Sequence, residues 1–279
     1  MKPTAKPEGG VAAAPALVLF GAGRMGAALA RGWMKARPRR AISVLEPKPS
    51  EEVSAWAEAG RIRLNPAPAP AGILVLAVKP QQFSATAESA RAFTGPGTLV
   101  ISIMAGVRIA QISRRLQTGR VIRAMPNTPG AIGEGITVFS AAPGLGAAEI
   151  GAGQGLLTPL GEVHGPVDET LMSAVTALSG SGPAYLFLLA EAMAEAGESE
   201  GLPRPLAQRL ARRTVEGAAA LMASSGKDPE ALRRAVTSPG GTTQAALDIL
   251  MDTGGMPQLL RDALRAAANR DRQLSREAD

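Results

Sequence analysis

VLFGAGRMGAALARG, Val18 to Gly32, joins a short apolar run to a helix-like stretch through glycines spaced G-x-G-x-x-G at Gly21, Gly23 and Gly26. Between a strand and a helix, each glycine has a separate task. Gly21 permits the tight turn, Gly23 lets backbone approach a pyrophosphate, and Gly26 lets the helix pack on the strand. The helix N-terminus then offers free N–H groups and partial positive charge to an anion. An acid, Glu46, ends the next apolar run roughly 20 residues further on, as a ribose-binding carboxylate would. The stretch therefore reads as a dinucleotide-binding turn, with Phe20, Gly21, Ala22, Gly23, Arg24, Met25 and Gly26 near the phosphates.

Working outward, 16–20, 41–45, 72–78, 98–103 and 120–125 have the length and continuous apolarity of strands covered on both faces. Helix-like segments fall between them, at 24–37, 50–60, 81–93 and 108–116. That alternation predicts an α/β fold with a doubly wound parallel sheet. Stretches 135–140 and 162–167 are expected as extra strands. Ligands in such sheets sit at the carboxyl ends of strands. This brings Ala77, Val78, Lys79 and Pro80, then Met104, Ala105 and Gly106, to one crevice with the MPNTP loop at 125–129. Asn65 is counted with the cofactor-binding residues. Asn127, held between two prolines with donor and acceptor free, is a substrate-binding candidate.

Glu46 bears on which dinucleotide is bound. Its carboxylate would accept hydrogen bonds from ribose hydroxyls, favouring NAD(H), and would repel a 2′-phosphate. Yet Pro47-Lys48-Pro49-Ser50 offers a cation and an N-cap to that phosphate. NADP(H) and NAD(H) both stay open.

After about residue 168 the strand pattern gives way to helices, with Pro203 and Pro229 near starts, Asp228 as an N-cap, and Gly197, Gly226 and Gly255 near ends. The expected domains are a flexible extension at 1–14, a dinucleotide-binding domain at 15–167 and an all-helical domain at 168–279. Stretch 184–194 is largely apolar, and burying it in so small a domain calls for a partner subunit.

Composition narrows the chemistry. Of 279 residues 46% are hydrophobic, but aromatics are only 3%, so the core is built from aliphatic side chains. With no cysteine and one histidine, His164, thiolate zinc sites, cysteine nucleophiles and histidine-rich metal sites are excluded within one chain. His164 reads as a surface or structural residue. The net charge of +6 is spread along helices without interleaved aromatics, which argues against nucleic-acid binding. The apolar run near the N-terminus ends in the glycine motif and so reads as a strand rather than a leader. No segment is read as a membrane span, and a soluble cytoplasmic enzyme is expected.

One interruption of helix stands apart. In VTSPGGTTQAAL (236–247), Gly240 and Gly241 let consecutive N–H groups converge on an oxyanion. A helix beginning near Thr242 adds its dipole, and Ser238 adds a hydroxyl. Read alone, the same residues also suit a capped turn between helices.

Together, FGAGRMG (20–26), VLAVKPQ (75–81), MPNTP (125–129), VTALSGSGPAY (175–185) and VTSPGGTTQAAL (236–247) resemble the pyrroline-5-carboxylate reductase family, in the family's order. The resemblance implies a Rossmann domain followed by a helical domain through which subunits interlock as dimers. It implies reduction of a cyclic imine to proline with NAD(P)H. It places Ser238, Gly240, Gly241 and the backbone of Thr242 and Thr243 on the substrate carboxylate, with the Thr243 hydroxyl, the catalytic candidate, near the ring nitrogen. Tyr185 reads as a core residue. The rivals are another imine or β-hydroxyacid reductase of the same plan, and a non-catalytic dinucleotide sensor. A sensor has no need of the second anion site. The N-terminal extension and Glu46 depart from the family pattern.

Overall fold

The computed structural model describes residues 16–38 and 40–277; the extension expected at 1–14 lies outside them. The chain divides into two compact units, Met1–Glu169 with Ser275–Asp279, and Thr170–Leu274.

The first unit is built on eight strands: β1 (Leu17–Phe20), β2 (Ile42–Leu45), β3 (Arg63–Leu64), β4 (Ile73–Leu76), β5 (Leu99–Ser102), β6 (Val121–Met125), β7 (Gly135–Ala141) and β8 (Gly161–His164). They lie in the order β3-β2-β1-β4-β5-β6-β7-β8. The sheet is parallel from β3 to β6, then β7 runs antiparallel to β6 and parallel to β8. The reversal departs from a wholly parallel sheet. Its cause is the short link from Met125 to Gly135, since a parallel return needs a crossover of a dozen or more residues. The two-residue β3 escapes sequence reading because no apolar run marks it.

The helices of this unit are α1 (Arg24–Ala36), α2 (Glu51–Glu58), α3 (Phe83–Arg91), α4 (Ile109–Leu116) and α5 (Ala147–Leu157). Alternation along β1 sends Leu17 and Leu19 into one core with Leu29, Trp33 and Leu156. Val18 and Phe20 go into a second core with Phe83, Phe93 and Ile112. Each fully buried Leu or Phe is worth about 1.5–3 kcal/mol, so covering both faces fixes β1, and with it the turn that follows. The Trp33 indole N–H donates to the Leu156 carbonyl at 2.7 Å, tying α1 to α5.

Helix α5 is absent from the sequence reading because Gly151, Gly153 and Gly155 argue against helix. Packing explains one of them. A Cβ on Gly153 would lie 2.4 Å from Ile122 Cδ1, so α5 lies too close to the sheet for a side chain there.

The second unit holds α6 (Met172–Val175), a π-helical turn at Thr176–Gly180, α7 (Gly182–Ser199), α8 (Arg204–Ser225), α9 (Pro229–Ala235), α10 (Thr242–Leu250) and most of α11 (Met256–Glu277). The π turn runs into the SGSG stretch of VTALSGSGPAY, residues 179–182, and the Tyr185 hydroxyl donates to the Ala177 carbonyl at 2.9 Å. Asp228 stands at the N-cap of α9, but its side chain makes no capping hydrogen bond. Helices α7 and α8 pack on one another with small residues, Ala194, Ala207 and Ala211, buried between them. Large apolar side chains face outward instead, Phe187 at 65% and Leu188 at 63% exposure.

By length and composition alone the helical run Glu169–Ser199 is long and apolar enough to cross a membrane, a test that the core helix of a soluble protein passes as well. The π turn joins α6 to α7, so two stretches that the glycines divide in the sequence make one long apolar run.

Candidate active site

The carboxyl ends of β1, β2 and β4 open on a cleft of about 820 Å³. Hydrogen bonds between strand ends shape it: the Gly21 N–H donates to the Leu45 carbonyl at 2.9 Å, and the Ala77 N–H to the Phe20 carbonyl at 2.7 Å. Gly21 takes φ +88°, and a Cβ there would meet the Ala77 carbonyl oxygen at 2.7 Å. A Cβ on Gly26 would meet the Gly21 carbonyl oxygen at 2.1 Å. Gly23 differs, because a Cβ there would meet nothing within 4 Å. No side chain among the described residues caps α1 at Gly23, so its first-turn N–H groups are left to a ligand or water. The arrangement fits a pyrophosphate.

Glu46 closes the cleft on the β2 side. Its carboxylate accepts from the Ala22 N–H at 2.9 Å and the Lys48 N–H at 3.1 Å. Asn65, at φ +47°, clasps the Glu46 backbone: its Oδ1 accepts from the Glu46 N–H at 2.9 Å and its Nδ2 donates to the Glu46 carbonyl at 3.1 Å.

Of the residues expected around the cofactor, Phe20, Gly21, Ala22, Gly23, Glu46, Asn65, Ala77, Val78 and Lys79 line this cleft. The Phe20 ring itself is buried, edge-on to Phe93. Arg24, Met25, Gly26, Pro80, Met104, Ala105 and Gly106 are not part of the lining. Met104 is 2% exposed and packs into the second core. Sequence reasoning missed Gln82, Ala85, Thr86 and Ser89, which line the opposite wall from α3 and the turn before it. Their i, i+3, i+4, i+7 spacing is the signal that marks one helix face. Asn127 lies away from the cleft lining; its Oδ1 accepts from the Ile136 N–H at 3.0 Å, leaving Nδ2 to donate.

In the second unit, Ser238–Thr243 forms a turn closed by the Gly241 N–H donating to the Ser238 carbonyl at 3.0 Å. Gly240 takes φ +69°, where glycine is favoured. A Cβ on Gly241 would lie 2.5 Å from Ser238 Oγ, so the serine hydroxyl rests against the bare glycine. Helix α10 starts at Thr242, and among the described residues no side chain caps it. Its first-turn N–H groups are left to a ligand or water. His164 is exposed on β8.

Known proteins show the same two parts. Residues 16–106 match the family model described as NADP oxidoreductase coenzyme F420-dependent. Residues 169–274 match the one described as pyrroline-5-carboxylate reductase dimerisation. Over 270 residues the chain is 38% identical to the pyrroline-5-carboxylate reductase of Pseudomonas aeruginosa, covering 94% of this chain and 98% of that one. It superposes on the solved pyrroline-5-carboxylate reductase of Coxiella burnetii with a TM-score of 0.83 and 32% identity, covering 94% of this chain and 98% of that one. The Plasmodium falciparum pyrroline carboxylate reductase, solved with NADP bound, shares the fold at a TM-score of 0.77 and 24% identity, over 94% and 99% of the two chains.

Proposed function

The chain belongs to the pyrroline-5-carboxylate reductase family, and from that membership we propose how its own residues carry the reaction. It is an NAD(P)H-dependent oxidoreductase that reduces 1-pyrroline-5-carboxylate to L-proline. We take residues 15–167 as the dinucleotide domain and 168–279 as the substrate and dimerisation domain.

The reduced nicotinamide, when bound, supplies a hydride to the carbon of the C=N bond. The chain's task is to hold and orient. The pyrophosphate rests on the N–H groups around Gly23, where open space and an uncapped helix start coincide. Glu46 meets the adenosine ribose, and Ala77, Val78 and Lys79 form the facing rim. The substrate carboxylate is held by the Ser238 hydroxyl and the N–H groups of Thr242 and Thr243. The Thr243 hydroxyl hydrogen-bonds the ring nitrogen. A protonated imine is already electrophilic, so positioning supplies much of the rate and no strong base is required. The observation that carries this assignment is the Ser238–Gly241 contact beside the uncapped start of α10.

A homodimer follows from the same reading, because Phe187 and Leu188 expose apolar surface on α7 that a second copy would bury. A cytoplasmic location is part of the proposal. The test is a spectrophotometric assay of nicotinamide oxidation with pyrroline-5-carboxylate, run with NADH and with NADPH. Turnover with at least one is expected; none with either would overturn the reading.

A further inference from the structure

We propose that Glu46, held by Asn65, makes this reductase select NADH over NADPH. The proposal rests on the cleft being the dinucleotide site, as argued above. At the end of β2 the sequence alone left both an acceptor, Glu46, and a cation, Lys48, in play. The geometry decides between them.

A carboxylate offers about four acceptor positions. Two are taken by the N–H groups of Ala22 and Lys48, at 2.9 and 3.1 Å. Those that remain can accept from the two hydroxyls of an unmodified ribose. A 2′-phosphate replaces one of these donors with acceptor-only oxygens and adds negative charge beside the carboxylate. Both the hydrogen-bond match and the charge match are then reversed.

Nor can Glu46 easily move aside. Swinging it out would strip the partly buried Ala22 N–H of its partner, and a stranded donor is expensive. Its backbone is held by both ends of the Asn65 side-chain amide, and the Asn65 backbone N–H donates to the Val44 carbonyl at 2.7 Å. Lys48 and Ser50, the groups that sequence offered to a phosphate, line the same cleft. The Ser50 hydroxyl accepts from the Val53 N–H, capping α2, and keeps its proton to donate, but it is neutral. The Lys48 side chain is exposed to solvent, where an ion pair contributes little.

The experiment compares ADP-ribose with its 2′-phosphate by calorimetric titration of the full-length protein, alongside kcat/KM for NADH and NADPH. ADP-ribose and NADH should be favoured by about 10- to 100-fold, the range of a lost charge-assisted hydrogen bond. Glu46→Ser should erase most of that ratio. Asn65→Gly keeps the positive φ while deleting the amide, and should narrow the ratio with little change in thermal midpoint. A purely structural Asn65 would lower activity with both cofactors equally and leave the ratio alone. Equal binding of the two probes, or preference for the phosphate, would overturn the selectivity while leaving the cleft assignment standing. Binding of neither would overturn both.

Discussion

The Cα of Gly26 rests on the carbonyl of Gly21 so closely that an added Cβ would lie 2.1 Å from that oxygen. The helix start and the strand-to-helix turn thus share one piece of space. Gly26→Ala must push α1 off the sheet, an overpacking expected to destabilise by about 1–3 kcal/mol. Thermal denaturation should show a fall of several degrees, and NADH titration should show weakened binding in the same protein. An unchanged midpoint would show that α1 can shift freely.

Gly23→Ala makes the complementary case. A methyl group there meets no protein atom within 4 Å, and the backbone, at φ −66°, suits alanine. Thermal stability should stay within about 0.5 kcal/mol, yet dinucleotide affinity should fall at least about 10-fold, because the methyl occupies the space given to the pyrophosphate. Full affinity in this variant would move the phosphates elsewhere.

Gly241→Ala places a Cβ 2.5 Å from Ser238 Oγ. The hydroxyl is the end of a rotatable side chain, so it should turn away at little cost in stability. KM for the imine should rise about 10-fold, as for one lost hydrogen bond to a carboxylate, with NADH affinity unaltered. Steady-state kinetics with each substrate varied in turn separates the two effects.

Thr243→Ala should lower kcat/KM for the imine by about 10- to 100-fold, the loss expected for one polar contact in the transition state. Cofactor affinity should be nearly unaltered. A rate equal to the parent's would remove Thr243 from the reaction.

Phe187→Glu puts charge into the exposed apolar face of α7. Sedimentation equilibrium at micromolar concentration should shift toward monomer. Since few large side chains of Thr170–Leu274 are buried within one chain, the thermal midpoint should also become more dependent on protein concentration. An intact oligomer would place the interface on another face.

The sequence makes the dinucleotide half legible because its strands are buried on both sides and so read as continuous apolar runs, β1, β4 and β5 most plainly. What it conceals is proximity. Helix α5 is hidden because Gly153 answers to Ile122 on β6 rather than to helix propensity. The role of Asn65 is hidden because its amide serves Glu46, nineteen positions away in the chain. Met104 was expected at the ligand, yet it is buried, since the end of a strand carries core positions as well as rim positions. The Ser238–Thr243 turn is visible in the sequence as a break in helix, while the contact of Ser238 with Gly241 arises only from the fold of the turn.

In the proposed assignment the turn at Ser238–Thr243 offers its ligand mainly main-chain donors, shaped by Gly240 at φ +69° and Gly241 beneath the serine hydroxyl. A grip made mostly of peptide groups leaves only the Ser238 hydroxyl to tune. Repurposing this scaffold toward other cyclic imines should therefore be open at the ring and closed at the acid. Substitutions around the turn can reshape what surrounds the ring, but every accepted substrate will still have to present an anion to α10.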